Sequence, residues 1–289
     1  MTDHKYLEIK AELLVEGVGA TTEALREVGT KYKEQNHGLF GWDFENHVEM
    51  ILPDDFTLPD GTVVQFRQNS RSPYRVTANT GGLVLTRNGE EICSVSWIPR
   101  PAFYTRVTGD QHDMVKVGQI GGEDCLFFCY QNYCSFFARH EECLFCNLVA
   151  TSSTYDSVLK KKDIADIGEV AAAAFAEGMV KHVLLTGGCF SHQREIDMVG
   201  RMLKSIRDHT GLDRVPGTIL PSPAKSLDDI QRYHDTGIQA IGFSMEIWDD
   251  KLYQAVCPGK SAGTSHREFV SALETAVKVF GAGNVYAVF

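Results

Sequence analysis

His182-Val183-Leu184-Leu185-Thr186-Gly187-Gly188 reads as a short apolar strand that runs into a glycine pair. Helical periodicity lies on both sides of it. Ile164–Glu177 precedes it and ends at Gly178, and Glu195–His209 follows it and is closed by Gly211. The same rhythm continues outward. Cys125–Tyr130 is an earlier apolar strand and Thr218–Leu220 a later strand candidate. Ser226–Asp235 is a helix with Ser226 as N-cap and Gly237 beyond its end. Ile238–Ser244 is a strand, His266–Phe280 a helix and Asn284–Phe289 a last strand. Strands alternating with helices imply βαβ units and a parallel sheet or barrel, with ligands gathered where the strands' C-terminal ends meet the loops. The last strand is apolar and no covering helix follows it, which leads us to expect a longer native polypeptide or a partner subunit over that edge.

Before about residue 120 the pattern differs. Tyr6–Gln35 is amphipathic helix interrupted at Gly17 and Gly19. Strand-like runs follow at Val63–Arg67, Tyr74–Ala78, Gly82–Arg87 and Ile92–Trp97, separated by turn signals at Pro59-Asp60-Gly61, Gly81-Gly82 and Asn88-Gly89. Leu83–Thr86, Asn88-Gly89 and Glu91–Ser94 read as a hairpin. Two parts are therefore expected, a helix-plus-antiparallel-strand unit over 1–120 and an α/β unit over 121–289.

The chain has 289 residues and a formal charge of −10, so its surface as a whole repels phosphate backbones and nucleic acid is a disfavoured partner. Lys160–Lys162 is a solvated helix start rather than a basic patch. Met1–Lys10 is polar, unlike a signal peptide, and no apolar run is long enough to span a bilayer, so a cytoplasmic protein without membrane contact is expected. In that compartment thiols stay reduced and serve as metal ligands or nucleophiles more often than as disulfides.

Four of the eight cysteines fall between Cys129 and Cys146. Cys143 and Cys146, with two residues between them, suit one metal centre bound from a tight loop, and Cys134 completes a three-thiolate set. Structural zinc wants four ligands in closed tetrahedral geometry, whereas three thiolates on an iron–sulfur cubane leave one iron open to a non-protein ligand. Cys129 remains an alternative first ligand to Cys134, and the plainer reading is a zinc knot using Cys129 or His140 as fourth ligand. Cys125, Cys129, Cys189 and Cys257 are more simply isolated buried thiols than a second cluster.

The segment resembles the radical S-adenosylmethionine (radical SAM) superfamily, whose signature has three and two residues between its three cysteines and an aromatic residue before the last. Phe145 stands in that aromatic place, while the first gap is eight residues. Leu185-Thr186-Gly187-Gly188 is similar to the family's glycine-rich strand end, which meets the ligand's amino group. Ser244-Met245-Glu246 is similar to its ribose- and amine-contacting strand-four motif. Trp248–Tyr253 and Cys257-Pro258-Gly259 resemble the biotin synthase and hydrogenase-maturase branch, which places Arg267 where an arginine holds the methionyl carboxylate.

The resemblance covers roughly 121–289 and implies a partial parallel (β/α) barrel of about five or six strands. It implies an enzyme whose [4Fe–4S] cluster, on Cys134, Cys143 and Cys146, cleaves S-adenosylmethionine reductively. The resulting 5′-deoxyadenosyl radical would take hydrogen from a small-molecule or peptide substrate. An electron donor such as flavodoxin or ferredoxin is implied as partner; no catalytic residue is singled out. Two other readings stand beside this one: the same cluster cutting a different C–S bond for aminocarboxypropyl transfer, motivated by the long first gap, and a non-catalytic iron–sulfur or zinc scaffold.

Overall fold

The structure, a computed structural model, describes residues 4–28, 32–35, 42–43, 48–49, 51–148, 162–224 and 226–289. Lys160 and Lys161 of the lysine run, and part of the Tyr6–Gln35 stretch, lie outside the described residues. The chain divides into two compact units, Met1–Ala102 and Phe103–Phe289.

The first unit carries α1 (Lys5–Glu16) and α2 (Thr22–Val28) with strands β1 (Gly19–Ala20), β2 (Trp42–Asp43), β3 (Val48–Glu49), β4 (Asp55–Thr57), β5 (Val63–Gln65), β6 (Tyr74–Asn79), β7 (Gly82–Arg87) and β8 (Glu90–Trp97). Gly17, with φ 68°, ends α1 and lets the chain leave as β1. A six-stranded sheet runs β1-β6-β7-β8-β4-β5, antiparallel except where β1 joins β6. The β7–β8 hairpin turns on Asn88 and Gly89, both at positive φ, as a type I′ turn requires. Trp97 anchors the core between the rings of Phe56 and Phe66, and its indole N–H donates to the Ala24 carbonyl at 3.1 Å.

The second unit opens with α3 (Met114–Val117) and β9 (Gln119–Gly121). It continues β10 (Cys125–Gln131), α4 (Ile164–Ala176), β11 (His182–Gly187), α5 (His192–Thr210), β12 (Val215–Ile219), α6 (Leu227–Asp235) and β13 (Ile238–Ser244). The short helices α7 (Asp250–Val256) and α8 (Pro258–Gly263) precede α9 (His266–Phe280) and β14 (Val285–Val288). The sheet order is β14-β13-β12-β11-β10-β9, so each strand lies beside its neighbour in sequence; β10 to β14 are parallel and only β9 is antiparallel. The result is a mixed α/β unit with a curled, unclosed half-barrel.

Burial alternates along the strands. In β10 Leu126, Phe128 and Tyr130 are buried while Cys125, Cys129 and Gln131 are half-buried and Phe127 is exposed; in β11 Val183 and Leu185 are buried and Leu184 and Thr186 half-buried. One face thus packs into the apolar core and the other stays partly open, unlike the two buried faces of a closed α/β sheet. On α5, Ile196, Val199, Met202, Leu203 and Ile206 form a fully buried stripe at helical spacing. Caps set the helix starts: Asp163 accepts from the Ala165 N–H, Ser226 from Asp229, and Ser265 with Glu268 completes a capping box at α9. Each such cap contributes about 1 kcal/mol.

β12 begins earlier than its sequence indicates, because Pro216 and Gly217 break the strand pattern. Gly217, at φ 133°, lies against the Val183 carbonyl where no Cβ fits, and the register to β13 shifts there. Among the described residues no helix is long and apolar enough to cross a membrane.

Candidate functional site

The loop carrying Cys134, Cys143 and Cys146 leaves the C-terminal end of β10 and is fixed at both ends by main-chain hydrogen bonds. On one side, Gly188 N–H donates to Gln131 O and Ser135 N–H to Cys189 O, each at 2.8 Å. On the other, Leu144 N–H donates to Val256 O at 2.8 Å and Gly259 N–H to Glu141 O at 2.9 Å. Two glycines make these approaches feasible. A Cβ on Gly188 would collide with the Tyr133 carbonyl, and one on Gly259 would strike the Phe136 ring and come within 2.7 Å of Glu141 O. The loop is therefore clamped between the β11 strand end and the α7–α8 junction. A 3₁₀ turn, Phe137–Arg139, shapes its middle, and exposed His140 closes that turn in the left-handed region at φ 57°.

Cys134 and Cys143 are buried and Cys146 half-buried. The Cys189 thiol donates to Cys134 Sγ, which also accepts from the backbone N–H groups of Phe136, Cys189 and Phe137. These bonds outweigh the opposing effect of burial and lower the Cys134 pKa, while donation to Cys134 and burial raise that of Cys189. Cys143 has no such nest. Burial pushes it up to about 12, against the pull of Lys260, and its thiol donates to Cys257. Cys129 lies within β10, paired with Thr186, and its thiol donates to Asn132 Oδ1 at 2.7 Å. Among the described residues no three His, Cys, Asp or Glu side chains converge on the position of a single metal ion. The donor set offers instead three thiols on one clamped loop, one of them with a lowered pKa, beside an open cavity. That fits a group attached through three sulfurs and open on its fourth side, provided the Cys134–Cys189 and Cys143–Cys257 contacts part to admit it.

The cavity holds about 410 Å³ and lies where the C-terminal ends of β11, β12 and β13 meet their loops. Thr186 and Gly187 line it from β11, Ser244 from the end of β13 and Glu246 from the loop just after it, Ser135 and Phe136 from the cysteine loop, and Lys260 from α8. Glu246 is held at φ 76°, an expensive conformation for a residue with a Cβ, with its N–H bonded to Val288 O at 3.2 Å. Its Oε1 lies 2.5 Å from Lys260 Nζ, which also reaches Ser244 O at 3.4 Å. Burial depresses the Lys260 pKa, but Glu246 with the thiols of Cys189 and Cys143 outweighs it, and the net shift is upward: this lysine stays an ammonium.

Of the residues singled out in the sequence, Thr186, Gly187, Ser244 and Glu246 come together around the cavity. Gly188 instead packs against the cysteine loop. Phe145 is 58% exposed, and Arg267 stands exposed in the first turn of α9; neither is among the lining residues. Lys260 and Glu195 line the cavity and were not read from the sequence. For Lys260 a signal existed in Cys257-Pro258-Gly259-Lys260, since proline at the first position starts a short helix. For Glu195 there was none, because an acidic residue in a helix's first turn is ordinary.

The sequence profile of the Radical SAM superfamily matches residues 129–287, more than half of the chain. The bacteriochlorophyllide c C-7(1)-hydroxylase of Chlorobaculum limnaeum is 24% identical over 128 residues, which cover 42% of this chain and 31% of that protein. The chain thus matches about a third of that relative's length. Among solved structures, methylornithine synthase (PylB) aligns over 57% of this chain and 43% of its own, with a TM-score of 0.39 and 18% identity. The FeFe-hydrogenase maturase HydG from Carboxydothermus hydrogenoformans covers 57% and 35%, with a TM-score of 0.41 and 14% identity.

Proposed function

The chain belongs to the radical SAM superfamily, and from that premise we propose that it is an enzyme cleaving S-adenosylmethionine reductively at the cavity of the half-barrel, to act on a small-molecule or peptide substrate. The observation that carries the proposal is the convergence of Thr186, Gly187, Ser244 and Glu246 on one cavity beside the clamped loop of Cys134, Cys143 and Cys146. Enzymes of this family generally use a [4Fe–4S] cluster with S-adenosylmethionine, and when bound the cluster supplies the electron that breaks a C–S bond.

In this reading Cys134, Cys143 and Cys146 hold the cluster, Cys134 with its pKa lowered by the hydrogen bonds to its sulfur. The backbone of Thr186–Gly188 meets the amino group of S-adenosylmethionine. Glu246 and Ser244 face its ribose and amine, and the strained backbone of Glu246 fixes the direction of its carboxylate. Among the described lining residues Lys260 is the cation, placed to meet the methionyl carboxylate, with Glu246 holding the ammonium in position meanwhile. Substrate-specific contacts and the reductant, a flavodoxin or ferredoxin type of donor, belong to the same proposal. Nothing in the cavity favours aminocarboxypropyl transfer or a scaffold role over this reading.

The test is anaerobic reconstitution with iron and sulfide, followed by S-adenosylmethionine, a strong reductant and mass spectrometry of the nucleoside. 5′-Deoxyadenosine is expected from the wild type and from Cys129→Ala, and not from Cys134→Ala. 5′-Methylthioadenosine as the product would replace reductive deoxyadenosyl formation with aminocarboxypropyl transfer. Absence of any nucleoside from an iron-loaded sample would overturn the proposal.

A further inference from the structure

Glu195 lines the cavity and is only 2% exposed, yet none of the roles above employs it. It projects from the first turn of α5, where two tyrosines reach it from other elements. Tyr130 of β10 donates its hydroxyl to Oε1 at 2.7 Å, and Tyr233 of α6 donates to Oε2 at 2.9 Å. The backbone N–H of Ser222, in the loop after β12, donates to the same carboxyl. A carboxyl is a costly group to bury, and one that only filled space would be better replaced by a methionine or leucine.

Two of these donors lead to the same place. The Tyr130 ring lies directly against Gly187; a Cβ on that glycine would sit 2.9 Å from Tyr130 Cε2. The hydroxyl of Ser222 is bonded to Cys189 Sγ. One buried carboxyl is therefore tied to both ends of the turn Gly187–Cys189, through a ring at one end and a serine at the other.

We propose that Glu195 is a positioning residue for S-adenosylmethionine, holding the Gly187–Cys189 turn, through Tyr130 and Ser222, in the shape that receives the ligand's amino group. The inference rests on the reading of the cavity given above. As a carboxylate, Glu195 accepts from all three donors at once. When protonated it carries a donor of its own, so one tyrosine hydroxyl must accept rather than donate, the charge-assisted bonds are lost and the clamp weakens. Burial, only partly offset by the Tyr130, Tyr233 and Ser222 bonds, pushes its pKa up to about 7, so both forms exist near neutrality. Tyr130 and Tyr233 are both shifted upward, chiefly by burial, and remain neutral, as does Cys189 beyond Tyr130. Asp229 and Arg232, on the helix of Tyr233, lie 3.9 Å apart as an ion pair, and Lys260 with Glu246 forms the other pair of the cavity.

The full-length protein, anaerobically reconstituted, would be titrated with S-adenosylmethionine by equilibrium dialysis from pH 6.0 to 8.5, as wild type, Glu195→Gln and Tyr130→Phe. Electron paramagnetic resonance of the reduced cluster, with and without ligand, would be recorded alongside. Glutamine mimics the protonated carboxyl, so the ratio of variant to wild-type Kd should be near one at pH 6 and climb to about tenfold at pH 8. Ligand-free cluster spectra should coincide, and the ligand-induced spectral change should weaken in the variant. A Kd ratio that does not change with pH would overturn the proposal and leave Glu195 a structural residue. Should Glu195→Gln fail to fold, Tyr130→Phe decides: weakened binding with an unchanged ligand-free spectrum supports the proposal, and wild-type affinity overturns it. Should the iron-loaded wild type bind no S-adenosylmethionine at any pH, the proposed function fails first and this inference with it.

Discussion

Burying a carboxyl has a thermodynamic signature that can be read without any ligand. The folded pKa of Glu195, about 7, stands above its reference value of 4.5. Between those values the unfolded chain has released a proton that the folded chain still holds, so stability falls as pH rises through that window and levels off above it. The full cost is at most roughly 3 kcal/mol. Glu195→Gln is therefore expected to be more stable than wild type in urea melts at pH 8 and no more stable at pH 4.5. A variant with the same deficit at both pH values would show that the hydrogen bonds to Tyr130 and Tyr233 outweigh the burial cost. Legibility also divided at this scale. Cys134, Cys143, Cys146, Thr186 and Glu246 stand in local patterns that a sequence displays. Glu195 owes its character to Tyr130 and Tyr233, each on a different element, and no local pattern records that company. Arg267 shows the converse. The family resemblance brought it forward, and the structure places it exposed in the first turn of α9, apart from the residues lining the cavity.

Among elements, those whose termini carry capping chemistry were legible almost to the residue. Ser265 with Glu268 opens α9 and Gly281 closes it, and β13 runs Ile238–Ser244 as its apolar run indicates. The short helices α7 and α8 were not legible, because neither is long enough to establish a helical period. Nor was β9, with glycine at its end and beside its start. These unread pieces matter, since the α7–α8 junction holds one side of the cysteine loop. Gly259→Ala forces a Cβ into the Phe136 ring and toward Glu141 O, and should displace that loop. The expected result is iron content after reconstitution reduced to less than about half of wild type, with far-ultraviolet circular dichroism unchanged, because the clash is local and costs about 1–3 kcal/mol. Full iron loading would mean that the loop and junction move freely past each other. Gly217→Ala, by contrast, drives a Cβ into the backbone of β11 and should destabilise the half-barrel as a whole by at least about 2 kcal/mol, lowering its melting temperature.

At the scale of the whole molecule, the residues lining the cavity span Ser135 to Thr264 and all belong to the unit Phe103–Phe289, which has its own apolar core. A polypeptide of residues 103–289 should therefore take up iron and bind S-adenosylmethionine with a Kd within about threefold of the full chain. Loss of binding in a folded fragment would assign Met1–Ala102 a direct part in the site. That strands and helices alternate in βαβ units was legible from the sequence, whereas the consecutive strand order and the half-open inner face of the sheet could be seen only once the strands were placed. The four backbone hydrogen bonds that clamp the cysteine loop have one more consequence, for mutational history. Bonds made by amide and carbonyl groups are indifferent to side-chain identity, so the exposed Ala138 and Arg139, between the clamped positions Ser135 and Glu141, are free to be exchanged under drift while the cysteines keep their places.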